Sequence, residues 1–348
     1  MTKITFTSPL PLDHQTGPST PLSYIKDALV ESDHDVTIID RIHYDEFKYD
    51  VGPVGRGTVF DLRASYDVKD CDLFIGCAGS CLLQMQKLKN AKKITLWFSS
   101  HYNFASKILE EEYKKFGIKG PAVHPYEIFK AQKEHEISDY LIVPSKQCAQ
   151  TYIDNGIPDN KLLIVPFGVD ITRFYPDDKK EIPTIPKFLF AGGNWIRKGL
   201  IYLLSAIMNM KKEPHLTIIG CDPKPKTNLK KLHIEGWIPD DKVPKIYRKS
   251  DVFILPSLEE GSALVVYEAM ASGLPCIVTP ECGSIISDGE DGIIVEPRNI
   301  EQLRDAMQYF IDNPEEIKRM GRNARSKVER EYTWDHFKNR FIKTLEVV

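Results

Sequence analysis

The sequence is notable first for what it lacks. No apolar run approaches the roughly 18 residues that a membrane-spanning helix requires, so no helical span is expected. The opening MTKITFTSPLPL lacks a basic stretch followed by a long apolar core, so no signal peptide is expected either. The seven cysteines (Cys71, Cys77, Cys81, Cys148, Cys221, Cys276 and Cys282) are odd in number and contain no Cys-x-x-Cys pair. The nearest pair, Cys77 and Cys81, has no histidine at ligand spacing. Reduced thiols in a cytoplasmic protein are therefore expected, rather than a disulfide frame or a zinc site. Neither sign of charge dominates. With 46 Lys and Arg against 49 Asp and Glu, the net charge is −3, and no global field draws the chain to nucleic acid or an acidic membrane. Low-complexity tracts and internal sequence repeats are also missing.

What is present suits a soluble α/β protein. A chain of 348 residues is long for one core, and two domains are the natural division. Hydrophobic content of 42% and charged content of 27% are ordinary. Lys3–Thr7 reads as a strand, a loop with Asp13, His14 and Gly17 follows, then a helix over Pro21–Glu31 and a strand over Asp35–Asp40. That order begins a doubly wound sheet, in which ligands sit beyond the carboxyl ends of the strands. Gly17 falls where a backbone can approach a diphosphate, although its composition equally suits a turn. The glycine-rich, poorly periodic Phe47–Phe60 reads as a mobile loop.

The rest of the chain is arranged around Asp251–Pro275, DVFILPSLEEGSALVVYEAMASGLP. Val252–Pro256 has the run of a buried strand, Ser257–Ser262 is a loop containing Gly261, and Leu264–Ala271 spaces as a short helix stopped at Gly273-Leu274-Pro275. Strand, glycine loop and helix aim backbone N–H groups and a positive dipole end at one point, which suits a phosphate. Glu260 lies in the loop and Glu268 about two turns farther on. Each carboxylate has enough acceptor sites for two neighbouring hydroxyls, so the pair suits a sugar at one end and a ribose at the other. On spacing alone, dipole compensation by glutamates in early helical turns is the reading that comes first. A second strand, Phe188–Ala191, runs into Gly192-Gly193-Asn194-Trp195-Ile196-Arg197-Lys198-Gly199 and a helix. This is either another anion site or a pair of exposed cations ahead of a helix.

Glu260-Gly-Ser-Ala-Leu-Val-Val-Tyr-Glu268 with Ala-Met-Ala-Ser-Gly-Leu-Pro resembles the E-x7-E signature of family 4 retaining glycosyltransferases. The resemblance is strong from Glu134 onward and takes in Gly168-Val169-Asp170 with Phe174. It implies a GT-B fold, α/β, with two Rossmann-like doubly wound domains facing across a cleft. The implied division is 1–170 on the acceptor side, a linker over 171–186, a nucleotide-sugar domain over 187–332, and a C-terminal helix over 333–348 crossing back. The implied donor ligands are Gly17, Arg197, Lys198, Ile238, Gly261, Ser262, Ala263, Leu264, Val265 and Glu268. Ile238 belongs to the segment that holds the base. The catalytic set is Glu260, His101, Lys198 and Arg197, with Ser99 an alternative register for His101.

The implied reaction is retaining transfer of a sugar from a UDP-, GDP- or ADP-sugar to a hydroxyl on a glycan, lipid-linked or protein-linked acceptor. The nucleotide sugar is the substrate, no cofactor is implied, and no Asp-x-Asp stands where a metal-dependent transferase needs it. Relatives with basic, aromatic surfaces on the first domain imply weak peripheral contact with the cytoplasmic membrane face. An epimerase, a glycosyl phosphorylase or a catalytically degenerate binding protein shares the architecture. Four departures from the family pattern stand out. Ala263 replaces a second glycine, Gly193 an arginine and Phe167 an asparagine, while Cys282–Gly289 replaces a glycine-proline-glutamate stretch.

Overall fold

Short runs of branched and aromatic residues, apolar on both faces, can be covered only when helices lie on each side of a parallel sheet. Leu73–Cys77, Val252–Leu255 and Cys276–Val278 are such runs, and every residue in them is buried. They form central strands in a computed structural model that describes residues 1–13, 19–43, 52–177, 181, 183–221 and 229–348. The chain divides into one unit of Met1–Pro166 with Phe337–Val348 and a second of Phe167–His336.

In the first unit the chain runs β1 (Lys3–Ser8), α1 (Ser19–Val30), β2 (Asp35–Asp40), α2 (Gly52–Asp67), β3 (Leu73–Cys77), α3 (Leu82–Lys87) and β4 (Lys92–Leu96). It continues through α4 (Tyr102–Lys115), α5 (Pro125–Ile137), β5 (Tyr140–Val143), α6 (Lys146–Ile153) and β6 (Leu162–Ile164). The strands pair in parallel in the order β2-β1-β3-β4-β5-β6. The edge strand β2 is half exposed, in keeping with its alternating DVTIID pattern.

The second unit runs β7 (Lys187–Ala191), α7 (Leu200–Met208), β8 (His215–Ile219), β9 (Leu232–Gly236), α8 (Val243–Lys249), β10 (Val252–Leu255), α9 (Leu264–Ala271), β11 (Cys276–Val278) and β12 (Gly292–Ile294). Helices α10 (Ile300–Asp312), α11 (Pro314–Glu331) and α12 (Trp334–Leu345) follow, and α12 enters the first unit at Phe337. The second sheet is parallel too, ordered β12-β11-β10-β7-β8-β9. Both units are thus the Rossmann-like α/β domains expected. In such sheets a ligand site opens beyond the carboxyl ends where the strand order reverses. In the second unit that point lies between β7 and β10.

Helices α2, α5 and α8 were not expected. The chain is helical from Gly52, so 52–60 is not a loop; the expected loop's residues 47–51 lie outside those described. Gly57 explains the misreading. A β-carbon there would meet the Gly79 carbonyl oxygen at 2.8 Å, so the glycine marks a close approach of α2 to the turn after β3. Helix α5 carries a weak amphipathic pattern and takes its start from His124, whose Nδ1 accepts the Tyr126 N–H at 3.2 Å.

Candidate functional site

The loop after β7 is built by two glycines. The Lys198 side chain runs across Gly192, where a β-carbon would stand 2.9 Å from its Cγ. Gly199 has φ of 66° and its Cα lies against the Pro256 carbonyl. Between them, Asn194 closes a tight turn, accepting the Lys198 N–H on its carbonyl at 2.9 Å and the Arg197 N–H on Oδ1 at 3.1 Å. The Leu258 N–H then donates to the Arg197 carbonyl at 2.8 Å, joining this loop to the one after β10.

The result is a compact ion cluster. Arg197 Nη1 lies 2.8 Å from Glu260 Oε2 and 3.6 Å from Glu259 Oε2, and it donates to the Glu259 carbonyl at 3.2 Å. Lys198 Nζ contacts Glu260 Oε1. Lys198, Glu259 and Glu260 are all buried. Burial alone would push Glu260 up, but the charges and hydrogen bonds of Lys198 and Arg197 outweigh it and hold the carboxyl below its ordinary range. Two cations and two carboxylates neutralise one another, so an arriving anion competes with Glu260 for Lys198 and Arg197. A β-carbon at Gly193 would meet only the Gly220 carbonyl oxygen, at 3.4 Å, so crowding does not impose glycine at that position.

Helix α9 begins beside this cluster. Its N-cap, Ala263, has no side-chain acceptor, so the amides of Leu264 and Val265 have no partner within the helix. The expectation that all amides over 261–265 face an anion is corrected at Ala263. Its N–H donates to the Cys282 carbonyl at 2.9 Å. Ser262 likewise turns its hydroxyl to the Gly283 carbonyl at 2.8 Å and to the Tyr267 hydroxyl at 3.1 Å. The departing Cys282–Gly289 stretch is thus what braces this loop. Gly261 lies between Glu260 and Ser262 and is buried.

Glu268 is partly buried in α9. Its Oε2 accepts the Tyr247 hydroxyl at 2.9 Å, and burial pushes its carboxyl up to about 7. Nearby, Asp170 Oδ1 gathers the N–H groups of Thr172 and Arg173, and the Arg173 guanidinium reaches Asp240 Oδ2 at 2.7 Å. Ile238 is half-buried in the turn after β9, where the Gly220 N–H donates to the Gly236 carbonyl at 2.7 Å.

His101 belongs to the first unit and follows β4. It is buried, caps α4 by accepting the Asn103 N–H on Nδ1 at 3.3 Å, and is pushed down to about 4 by burial. Ser99 is exposed, and its carbonyl accepts from Tyr152 and Cys148. Gly17 lies outside the described residues.

The structure therefore brings Arg197, Lys198, Glu260 and the start of α9 together. Sequence reasoning missed Glu259, Tyr247 and Arg173. Glu259 was signalled by its place beside Glu260, and Arg173 by its turn after Asp170; Tyr247 looked like an ordinary core aromatic. It also missed Glu134 and His135, buried in the first unit. Among the described residues, no group of three or more His, Cys, Asp and Glu side chains is placed to hold a metal, and no helix is long and apolar enough to cross a membrane. None of the seven cysteines is joined in a disulfide.

Residues 185–313 match the model of the family described as Glycosyl transferases group 1. An MMP alpha-(1->4)-mannosyltransferase of Mycolicibacterium hassiacum is 27% identical over 57% of this chain and 51% of its own length. A UDP-Gal:alpha-D-GlcNAc-diphosphoundecaprenol alpha-1,3-galactosyltransferase of Escherichia coli is 30% identical over 48% of this chain and 49% of its own. The chain thus spans about half the length of these curated relatives. In fold it resembles the sucrose-phosphate synthase of Thermosynechococcus elongatus, with a TM-score of 0.72 and 17% identity over 99% of this chain and 98% of the other.

Proposed function

We propose that this chain is a group 1 glycosyltransferase that moves a sugar from a nucleoside-diphosphate sugar to a hydroxyl acceptor, retaining the anomeric configuration and using no metal. The observation that carries the reading is the Arg197–Glu260–Lys198 cluster at the uncapped start of α9, lying within the segment that matches the family. The names of the two curated relatives, a mannosyltransferase and a galactosyltransferase with a UDP-sugar donor, agree with it.

Breaking the bond from sugar to diphosphate leaves negative charge on the departing phosphate, and fixed cations and amides lower the barrier by meeting that charge. Lys198 and Arg197 take this role, assisted by the amides of Leu264 and Val265. Glu260, released from them, accepts hydroxyls of the donor sugar. Glu268 takes the ribose diol and the backbone around Ile238 the base. No side chain is assigned as nucleophile, because the departing phosphate itself accepts the proton of the acceptor hydroxyl. The acceptor is a glycan, or a lipid-linked or protein-linked hydroxyl.

A panel of UDP-, GDP- and ADP-sugars tests the reading. One donor class should raise the melting temperature, since a ligand of the folded state stabilises by mass action. With an acceptor it should give a product of the donor's own anomeric configuration, in the presence of a chelator. Interconversion of the donor sugar without transfer would point instead to an epimerase. Activity left unchanged by both Lys198→Ala and Glu260→Ala would remove the basis of the assignment.

A further inference from the structure

Glu268 is held by a side chain that plays no part in the reaction above. Tyr247 is fully buried in α8, its ring stacked on Phe253 of β10 at 5.9 Å between centroids and met edge-on by Phe174 at 5.5 Å. Two aromatic neighbours fix the ring plane, and the hydroxyl lies 2.9 Å from Glu268 Oε2, with the Val265 carbonyl farther off at 3.5 Å. We propose that Tyr247 is a positioning residue for Glu268: by occupying one carboxylate oxygen it turns the other toward the nucleotide ribose and makes the site selective for ribonucleotides over deoxyribonucleotides. The inference rests on the reading of Glu268 as the ribose ligand.

A carboxylate that must accept two hydroxyls works only when ionised and correctly turned. Burial opposes ionisation, pushing Glu268 up to about 7. The Tyr247 hydroxyl works against that, as does Arg173 from the turn after Asp170 and, more weakly, Lys198 from the loop after β7; Asp240, ahead of α8, pushes the other way. Burial also raises Tyr247 itself well above its ordinary value, so its O–H stays a donor throughout the working range. Donor affinity should therefore fall as Glu268 takes up a proton. Without the Tyr247 hydroxyl that fall should begin at higher pH.

Tyr247→Phe keeps the ring between Phe174 and Phe253, so the variant should melt within a few degrees of the wild type. The test measures dissociation constants for whichever of UDP, GDP or ADP binds best, and for its 2′-deoxy form. Wild type, Tyr247→Phe and Glu268→Gln are compared between pH 5.5 and 8.5. The wild type should prefer the ribonucleotide. Tyr247→Phe should weaken it roughly tenfold, the order of one hydrogen bond to a charged group. The same variant should weaken the 2′-deoxynucleotide, which keeps only the 3′-hydroxyl for Glu268, by less than the ribonucleotide, so that the preference narrows; it should also move the acid limb of affinity to higher pH and raise KM with little change in kcat. If Glu268→Gln binds both nucleotides as the wild type does, the ribose reading itself fails, and this inference with it. If Glu268→Gln loses the preference while Tyr247→Phe keeps both the preference and the pH limb, the ribose reading stands and the positioning role is overturned.

Discussion

A β-carbon on Gly199 would stand 2.0 Å from the carbonyl oxygen of Pro256. This contact fixes the β7 loop against the β10 loop. Gly199 also holds φ of 66°, so a side chain there is penalised twice, by backbone conformation and by overlap. Gly199→Ala is expected to cost about 2 kcal/mol or more, from strain of about 1–3 kcal/mol at such a backbone position with steric displacement added. Because Lys198 precedes it, nucleotide binding should fall further than stability does. Thermal unfolding and nucleotide-sugar titration on the same sample separate the two effects.

Glu260 holds both Arg197 and Lys198, so under the proposed function it competes with the donor's phosphates for them, which gives a prediction of opposite signs. Glu260→Gln should bind a free nucleoside diphosphate about tenfold more tightly, because one rival charge is gone. It should also transfer sugar about a hundredfold more slowly, having lost the carboxylate that meets the sugar hydroxyls. The pH behaviour follows from the depressed carboxyl. Its stabilising contribution is complete above the ordinary glutamate range near 4.5 and drains away as pH falls through the lower folded-state value. Acid unfolding of Glu260→Gln should lack that component. Isothermal titration with diphosphate and an initial-rate assay would check the first two statements; weaker diphosphate binding would count against the competition.

The strands were legible because parallel sheets buried on both faces write themselves as unbroken apolar runs, and α9 begins and ends where the pattern placed it. Lys198 and Glu260 were also legible, as a cation after glycines and a carboxylate before a helix. Their direct contact was not, since 62 residues separate them and only the crossover between β7 and β10 brings the loops together. Tyr247 left no signal because a buried tyrosine has the pattern of any core aromatic. Its function lies in where the hydroxyl ends, which depends on Phe253 and Phe174 packing about the ring. Ala263 shows the same limit, since the partner of a loop amide cannot be read from its own sequence.

His101 and His135 lie 5.5 Å apart between ring centroids, in a nest with Trp97, Tyr102 and Tyr152. Burial lowers both imidazoles, His101 to about 4 and His135 to about 3, the latter with help from His101 and Lys161. Their nitrogen resonances should therefore report neutral rings down to pH 5. A group depressed in the folded state contributes stability that is complete above its unfolded value near 6.5 and is lost as pH falls toward 4. The free-energy difference between wild type and His135→Phe should accordingly move in favour of the variant between pH 8 and pH 5. Glu134, raised to about 7 by burial, has the opposite slope, so the variant difference rather than the wild-type curve is the quantity to follow. A charged ring at pH 6 in either resonance would contradict the packing.

The glycine that hid α2 from the sequence supplies the last test. In an exposed helix, replacing glycine by alanine gains about 1 kcal/mol, because glycine spends more backbone entropy on ordering. Gly57 is different, since its missing β-carbon leaves 2.8 Å to the Gly79 carbonyl oxygen. That carbonyl cannot simply retreat. The Gly79 N–H donates to Glu134 Oε2 at 2.6 Å and the Cys81 N–H to Oε1 at 3.2 Å, so the turn is anchored from α5. Overpacking against backbone costs about 1–3 kcal/mol. The helix gain offsets part of this, and Gly57→Ala should still destabilise by about 1 kcal/mol in urea unfolding. Glu134→Gln, which loses one of the two acceptors, should loosen the turn and reduce that penalty in the double variant. An alanine that stabilises the single variant would show that α2 and the turn after β3 are not in contact as described.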